Sequence, residues 1–251
     1  MKQLNILIGH LVKTGIFLAP MVFLFAFTTQ CQGISDKELE KTRMLNLLNS
    51  SKSDILKLTA DITILQYSLS ESNTIGTNSV RIKLISSQEK RTPVSSSNTN
   101  TSASFINEYR YVKGDSNLYP VFFSDDTGSS DIKSFSHPLN TGLENLNTFD
   151  LESSGMINSN KKVLRFLPKK GSPEEIEGAK PFEIIINIDT KTIEEIRWIG
   201  KTGDYFSTIR FGSGLIKNRN FHTKVSFYNG WTNTPPYCEA VIENILIIKN
   251  Q

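Results

Sequence analysis

From residue 59 onward apolar and polar positions alternate with period two, which is the pattern of strands with one buried face. Ile62 and Ile64 begin it, and Val80, Ile82 and Leu84 continue it between Arg81 and Lys83. Turn-forming residues at 71–78 separate the two runs. Further strands are predicted over the aromatic-rich residues 105–112, over 118–123 (LYPVFF) and over 163–167, the last stopped by Pro168. Ile184, Ile186 and Ile188 share one face of the next strand, and Asp189 to Thr192 turn it into one that carries Ile196 and Trp198. After a turn at 201–204, Tyr205, Ile209 and Phe211 share a face, and so do Phe221, Thr223, Val225 and Phe227. The run VIENILII at 241–248 closes the chain as a buried strand.

Helical spacing is confined to the start. Ser35-Asp36-Lys37-Glu38 reads as a capping box, and Met44, Leu47 and Leu48 follow as a narrow apolar stripe. Residues 54–58 are expected to add a short second helical piece. The fold class is therefore mainly β (α+β): a strongly curved antiparallel sheet or half-barrel of about eleven short strands with one or two covering helices. Residues 91–104 (RTPVSSSNTNTSAS) have almost no apolar content and read as a loop or insertion, and 124–147 as a second long polar loop.

The N-terminus carries a separate message. Lys2 and Lys13 precede an apolar run, TGIFLAPMVFLFAF at 14–27, and polar residues lead from it to Cys31. A basic start, a short apolar stretch and a polar exit make a secretory signal over 1–33, followed by a single domain over 34–251. The run falls short of the roughly 20 apolar residues of a spanning helix, although an uncleaved signal anchor is the competing reading. Cleavage before Cys31 would leave a lipidation site on its thiol. Gln30 and Thr28 stand where a lipoprotein signal carries a small residue and a leucine, so cleavage after Gly33 is the alternative. Removal of residues 1–30 takes two lysines and no acid, leaving 26 basic against 25 acidic residues, net +1. That balance gives no electrostatic footprint for nucleic acid. With Cys31 and Cys238 the only cysteines, neither a disulfide framework nor a cysteine-based zinc site can be built.

Within residues 146–227 the order of motifs resembles the periplasmic lipoprotein carriers, the LolA/LolB family. The short strand Asn147-Thr148-Phe149-Asp150-Leu151 is followed by VLRFLPK at 163–169, FEIIINID at 182–189, TIEEIRW at 192–198 and GDYFSTIRF at 203–211, with Asn220-Phe221 beyond. Upstream, ILKLTADITILQ at 55–66 is similar to the family's helix-to-first-strand junction. The resemblance implies a half-open sheet closed by helices around an apolar hollow for acyl chains. It also implies a strand arginine that holds the helical lid, and Tyr109-Arg110-Tyr111 is the matching place. By alternation Arg110 shares a face with Ile106 and Val112; the competing reading is an edge-strand arginine in water. The loops at 91–104 and 124–147 and the tail after Gly230 depart from the family pattern.

A physical case stands beside the resemblance. An apolar sheet face must be covered, and one or two short helices cover only part of it. Each methylene buried there is worth about 0.8 kcal/mol, so an acyl chain can bind without a specific polar contact. The expected lipid-binding face is Ile184, Ile186, Ile188, Ile196, Trp198, Ile209 and Phe211. The partners are lipid acyl chains or lipidated proteins in the periplasm or outer membrane of a Gram-negative-type envelope, with a membrane tether if Cys31 is lipidated. The alternative is a solid β-domain lipoprotein that binds a protein or serves as a structural surface component.

Catalysis finds little support. His137 precedes Pro138 in a polar stretch and reads as solvated, and His222, alternating with Phe221 and Thr223, reads as a solvent-facing residue. No Ser-His-Asp arrangement, His-x-x-x-His pair or phosphate-cradling loop is present. Asp125, Asp126 and Asp131 with Gly128 resemble a calcium loop but lack its closing glutamate. The expectation is a protein without enzymatic activity, cofactor or metal; an envelope hydrolase using Asp and Glu is a weaker idea for which no carboxylate pair stands out.

Overall fold

The computed structural model describes residues 35–49, 54–69, 75–88, 105–123, 131–139, 146–230 and 235–249. The signal segment with Cys31, the loop at 91–104 and the Asp125, Asp126 and Gly128 of the calcium-like stretch lie outside the described residues. The chain divides into two units, Met1–Leu39 and Glu40–Gln251. In the first, the helix start is built as the capping pattern predicts: the Glu38 N–H donates to Ser35 Oγ at 3.2 Å and the Leu39 N–H to the Ser35 carbonyl at 3.0 Å. This helix, α1, spans Asp36–Asn49.

Alternation in the second unit produces ten strands: β1 Ile55–Leu69, β2 Ile75–Gln88, β3 Phe105–Gly114, β4 Phe149–Met156, β5 Lys161–Pro168, β6 Phe182–Asn187, β7 Thr192–Ile199, β8 Tyr205–Ile216, β9 Arg219–Asn229 and β10 Cys238–Lys249. They form one antiparallel, curved sheet in the order β3-β2-β1-β10-β9-β8-β7-β6-β5-β4, open at β3 and β4 and not closed into a barrel. Among the described residues, short helical pieces lie between them: α2 Leu118–Phe123, α3 Asp131–Phe135, a 3-10 turn Leu146–Thr148 and α4 Pro173–Ile176. Among the described residues no helix is long and apolar enough to cross a membrane.

Two segments differ from the pattern-based expectation. Residues 55–58 are the start of β1, not a helix. Ile55 and Leu58 are both buried because an irregularity between Ile55 and Lys57 inserts one residue and resets the alternation. The run 118–123 is helical and not a strand. Asp115 starts the turn, its Oδ1 accepting from the Asn117 N–H at 2.9 Å and its carbonyl from the Leu118 N–H at 3.2 Å. Pro120 sits in the first turn, where its missing N–H is harmless, whereas a ladder would need that donor. Removing this strand brings the expected eleven to ten.

One sheet face is apolar across all ten strands. Registers align Phe166 with Phe182 and Phe182 with Trp198, Leu164 with Ile184, Ile184 with Ile196, and Ile196 with Ile209. The rows continue through Phe227 and Cys238, and through Ile242, Ile62 and Ile82. The opposite face over β5 to β10 is polar, with Glu183, Glu195, Arg197, Arg210, Lys224 and Glu239 joined by ion pairs and hydrogen bonds such as Arg197–Glu195 at 2.9 Å and Lys224–Glu239 at 2.7 Å. Tyr205, expected on the apolar face, joins this polar side. Its hydroxyl donates to Glu183 at 2.7 Å and its ring lies 5.3 Å from the Arg197 guanidinium, next to the irregularity at Trp198/Ile199.

Candidate functional site: the covered apolar face

The apolar face is roofed by three layers of the chain's own making. From α1, Met44, Leu45 and Leu48 pack against the core, with Lys41 buried beside them. Lys41 occupies the i, i+3, i+4, i+7 stripe with those residues, so it enters the interior with the helix face. Its Nζ donates to the Phe149 carbonyl at 2.7 Å on edge strand β4. At the other edge, α2 buries Leu118, Phe122 and Phe123, and the Tyr119 hydroxyl donates to the Tyr109 carbonyl of β3 at 2.7 Å. Both open edges are thereby met by a helix donor, which blunts them as templates for unwanted strand pairing.

The third layer is α3 and the residues after it. Ile132, Phe135, Leu139 and Leu146 are buried in the same core. The Phe135 ring bridges two of the predicted lining residues, 6.0 Å from Trp198 and 6.2 Å from Phe211, edge-on to both. Such edge-to-face pairs add about 0.5–1.5 kcal/mol beyond area burial. The aromatic line continues from Trp198 to Phe182 at 6.4 Å and from Phe211 to His222 at 4.7 Å. This layer is fastened at Tyr109, whose hydroxyl donates to the Lys133 carbonyl at 3.3 Å, and at β9, where the His222 N–H donates to the Pro138 carbonyl at 3.1 Å. Burial pushes the Tyr109 phenol well above its ordinary pKa, so it stays a donor at all physiological pH.

The residues expected to line the face differ in burial. Ile184, Ile186, Ile196, Ile209 and Phe211 are buried, with Ile196 paired to both Ile184 and Ile209. Trp198 is half-buried, and Ile188 is half-buried just beyond the end of β6. Arg110 is elsewhere. Its side chain is 61% exposed and holds Glu108 through Nε at 2.6 Å and Nη2 at 3.0 Å. Ile106 and Val112 are exposed with it, so the face shared by these three is the solvent side of β3, and the cover meets this strand at Tyr109.

Both histidines depart from their expected places. His137 is fully buried, its Nδ1 accepting from the Leu139 N–H at 3.1 Å. The polar segment around it is pinned from either side by Phe135 and Leu139, so it forms part of the cover with His137 buried within it. The signal was present in residues 132–139: Ile132, Phe135 and Leu139 stand at i, i+3 and i+7, a helical spacing hidden by the polar residues between them. Residues 131–139 are thus not a structureless part of a long loop. His222 is buried against Phe211 because β9 holds an extra residue, Thr223, between the partners of Gly212 and Ser213, and this reverses the facing of His222.

Cys238 is fully buried in the middle of the sheet, and burial pushes its thiol up to about 12. In a Cys31→Ser background the folded protein is expected to react with a maleimide at neutral pH at less than about a hundredth of the rate of the denatured chain, since thiolate supply limits the reaction. A rate equal to that of the denatured chain would show that the sheet opens at Cys238. Among the described residues no group of three or more His, Cys, Asp or Glu is placed to hold a metal ion.

No protein-family model matches the chain, and no curated protein matches it significantly. Among solved structures it is similar to a DUF1329 family protein from Desulfovibrio piger, with a TM-score of 0.47 and 12% identity over 85% of this chain and 94% of that one. It is similar to a putative outer membrane lipoprotein-sorting protein domain from Vibrio parahaemolyticus, with a TM-score of 0.43 and 10% identity over 82% and 91% of the two chains. A LolA superfamily protein from Nitrosomonas europaea aligns with a TM-score of 0.40 and 8% identity over 84% and 94%.

Proposed function

We propose that this protein is an exported carrier of the bacterial envelope that holds lipid acyl chains, alone or on a lipidated protein, against the apolar face of its sheet. One observation carries the reading. Among the described residues, the face that stretches over ten strands is roofed by α1 and by two helices of 6 and 5 residues. Helices this short gain little stability of their own; they stay in place through the apolar contacts they make. An acyl chain offers the face the same contacts, at about 0.8 kcal/mol per methylene, and so competes with the roof directly. Cargo would lie along Ile184, Ile186, Ile196, Trp198, Ile209 and Phe211, with α2 and α3 lifted from it and Tyr109 as the fastening. In this reading Cys31, if lipidated, tethers the protein to a membrane.

A second reading is favoured by the burial of those same residues. A face already filled by Phe135, Phe123 and Leu139 suits a solid β-domain that binds a protein or serves as a surface component. Delipidated protein from the envelope fraction separates the two. The carrier binds a fluorescent fatty acid saturably, releases it to oleate and co-purifies with lipid; a protein that does none of these is the solid domain. Tyr109→Phe removes the bond to the Lys133 carbonyl, worth about 1 kcal/mol, so stopped-flow uptake is expected to quicken about fivefold. Uptake unchanged by this variant would place the opening elsewhere.

A further inference from the structure

The polar side of the sheet has an apolar corner. Over β5 to β9 that side is a lattice of charges, but where β1 begins and β10 ends it exposes Leu246 at 64% and Ile248 at 54%. The registers place neighbours around them. Ile248 faces Lys57, Lys57 faces Ser87, and Ser87 faces Ile106, which is 63% exposed, in one row across β10, β1, β2 and β3. Leu56, 38% exposed, stands at the head of β1. The tip of the β8–β9 hairpin joins this corner, because Arg219 holds Asp54, two residues before Leu56. That tip turns through Lys217 and Asn218, both with positive φ (48° and 63°), as the two-residue hairpin connection requires. It displays Leu215 at 69% exposure.

The charge at this corner is mainly positive, with Glu243 of β10 as the exposed acid beside it and Asp61 paired to Arg81. Lys57 and Lys249 stand in the strands that carry the apolar residues and Lys217 in the hairpin tip, while Asp54 is paired with Arg219 and Glu108 with Arg110. Clustered exposed aliphatics rimmed by lysine match a lipid surface, with the apolar side chains entering the acyl boundary and the ammonium groups meeting phosphate. The interior of the protein could not use this combination. We propose that the corner formed by Leu56, Ile106, Leu215, Leu246 and Ile248 with Lys57, Lys217 and Lys249 docks the protein on an anionic bilayer. This goes beyond the carrier reading and stands or falls without it, since the corner lies on the opposite side of the sheet from the covered face.

The test uses the exported, processed protein with Cys31→Ser, labelled with an environment-sensitive fluorophore at Ser87→Cys inside the corner or at Thr202→Cys in the β7–β8 turn. Cys238, being buried, stays unlabelled. Vesicles of phosphatidylcholine mixed with phosphatidylglycerol are expected to raise and blue-shift the Ser87 signal and to leave the Thr202 signal unchanged; phosphatidylcholine alone does much less. Leu246→Ser with Lys217→Glu should weaken the partitioning by about tenfold or more, at about fivefold for each lysine charge near such a surface. Both substitutions are on exposed side chains and leave the fold standing, which circular dichroism checks. No response at Ser87, an equal response at Thr202, or partitioning unaltered in the double variant overturns the proposal. So does a Ser87 response that follows protein concentration without vesicles, which would assign the corner to a second copy of the chain.

Discussion

Phe166→Ala is expected to destabilise the protein by about 3–5 kcal/mol, the cost of a large-to-small change in a packed interior. Phe166 is 1% exposed and stacks on Phe182 with ring centroids 5.2 Å apart, and Phe182 in turn meets Phe149 edge-on at 4.9 Å. The three rings tie β5, β6 and the start of β4 together, so the lost volume cannot be refilled by one neighbour. A thermal midpoint lower by roughly 10 °C is the reading expected for a domain of this size. Leu246→Ala, on the exposed side, should stay within about 0.5 kcal/mol. Equal effects from the two substitutions would mean that the apolar rows are not the core. The variant also informs the function: a cavity lined by apolar residues stays dry and accepts apolar ligands. Fatty acid should therefore stabilise Phe166→Ala at least as much as it stabilises the parent, if acyl chains reach this face.

Glu239→Gln is the second large change expected, at about 1.5–3 kcal/mol, the scale of hydrogen bonds to a charged group. The carboxylate ties three strands. Oε1 accepts from Ser226 of β9 at 2.7 Å and pairs with Lys224 of β9 at 2.7 Å, and Oε2 accepts from Tyr67 of β1 at 2.8 Å. Burial pushes its pKa up, but the bonds from Lys224, Ser226 and Tyr67 outweigh that and hold it below the ordinary 4.5. The folded carboxyl therefore releases its proton at lower pH than the unfolded one. Its stabilisation is complete above about pH 4.5 and is lost as pH falls through the folded value. Asp54, lowered first by its bond from Arg219, and Asp61, lowered first by its bond from Asn244, add to the same acid loss. The gap in urea midpoint between the parent and Glu239→Gln, full at pH 7, should begin to close only below about pH 4.5 and narrow steadily as the pH is lowered further. A gap that stays constant down to pH 3 would show that the charge is not what holds the strands.

The covered face and the proposed docking corner divide one sheet between two kinds of solvent. Along β10 the same twelve residues serve both, with Ala240 and Ile242 buried on the inward side and Leu246 and Ile248 exposed on the other. Irregular pairing at Thr59/Asp61 and the positive φ of Asn244 (51°) lie between these pairs, where the strand changes from a polar-backed to an apolar-backed segment.

How much of this could be read from residues alone varies with the physical range of the signal. Alternation is local, so the strands over 163–167, 182–189, 192–198 and 205–211 were legible, and with them the inward residues Ile184, Ile186, Ile196, Ile209 and Phe211. Ser35 and Glu38 predicted the helix start for the same reason: a cap is satisfied within one turn. Three things were beyond a local pattern. A one-residue bulge at Thr223 reversed His222, because facing depends on the partner strand's count and not on spacing within β9. The run 118–123 has strand composition yet is helical, since Asp115 and Pro120 set the backbone before its aromatics find a face. The roof over the sheet, with Lys41 at one edge, Tyr119 at the other and Phe135 between Trp198 and Phe211, joins residues up to 108 positions apart. The sequence by itself determined that an apolar sheet face exists. Only the tertiary structure decided what lies on it, because burial is settled by which distant segments pack on the face and exclude water from it.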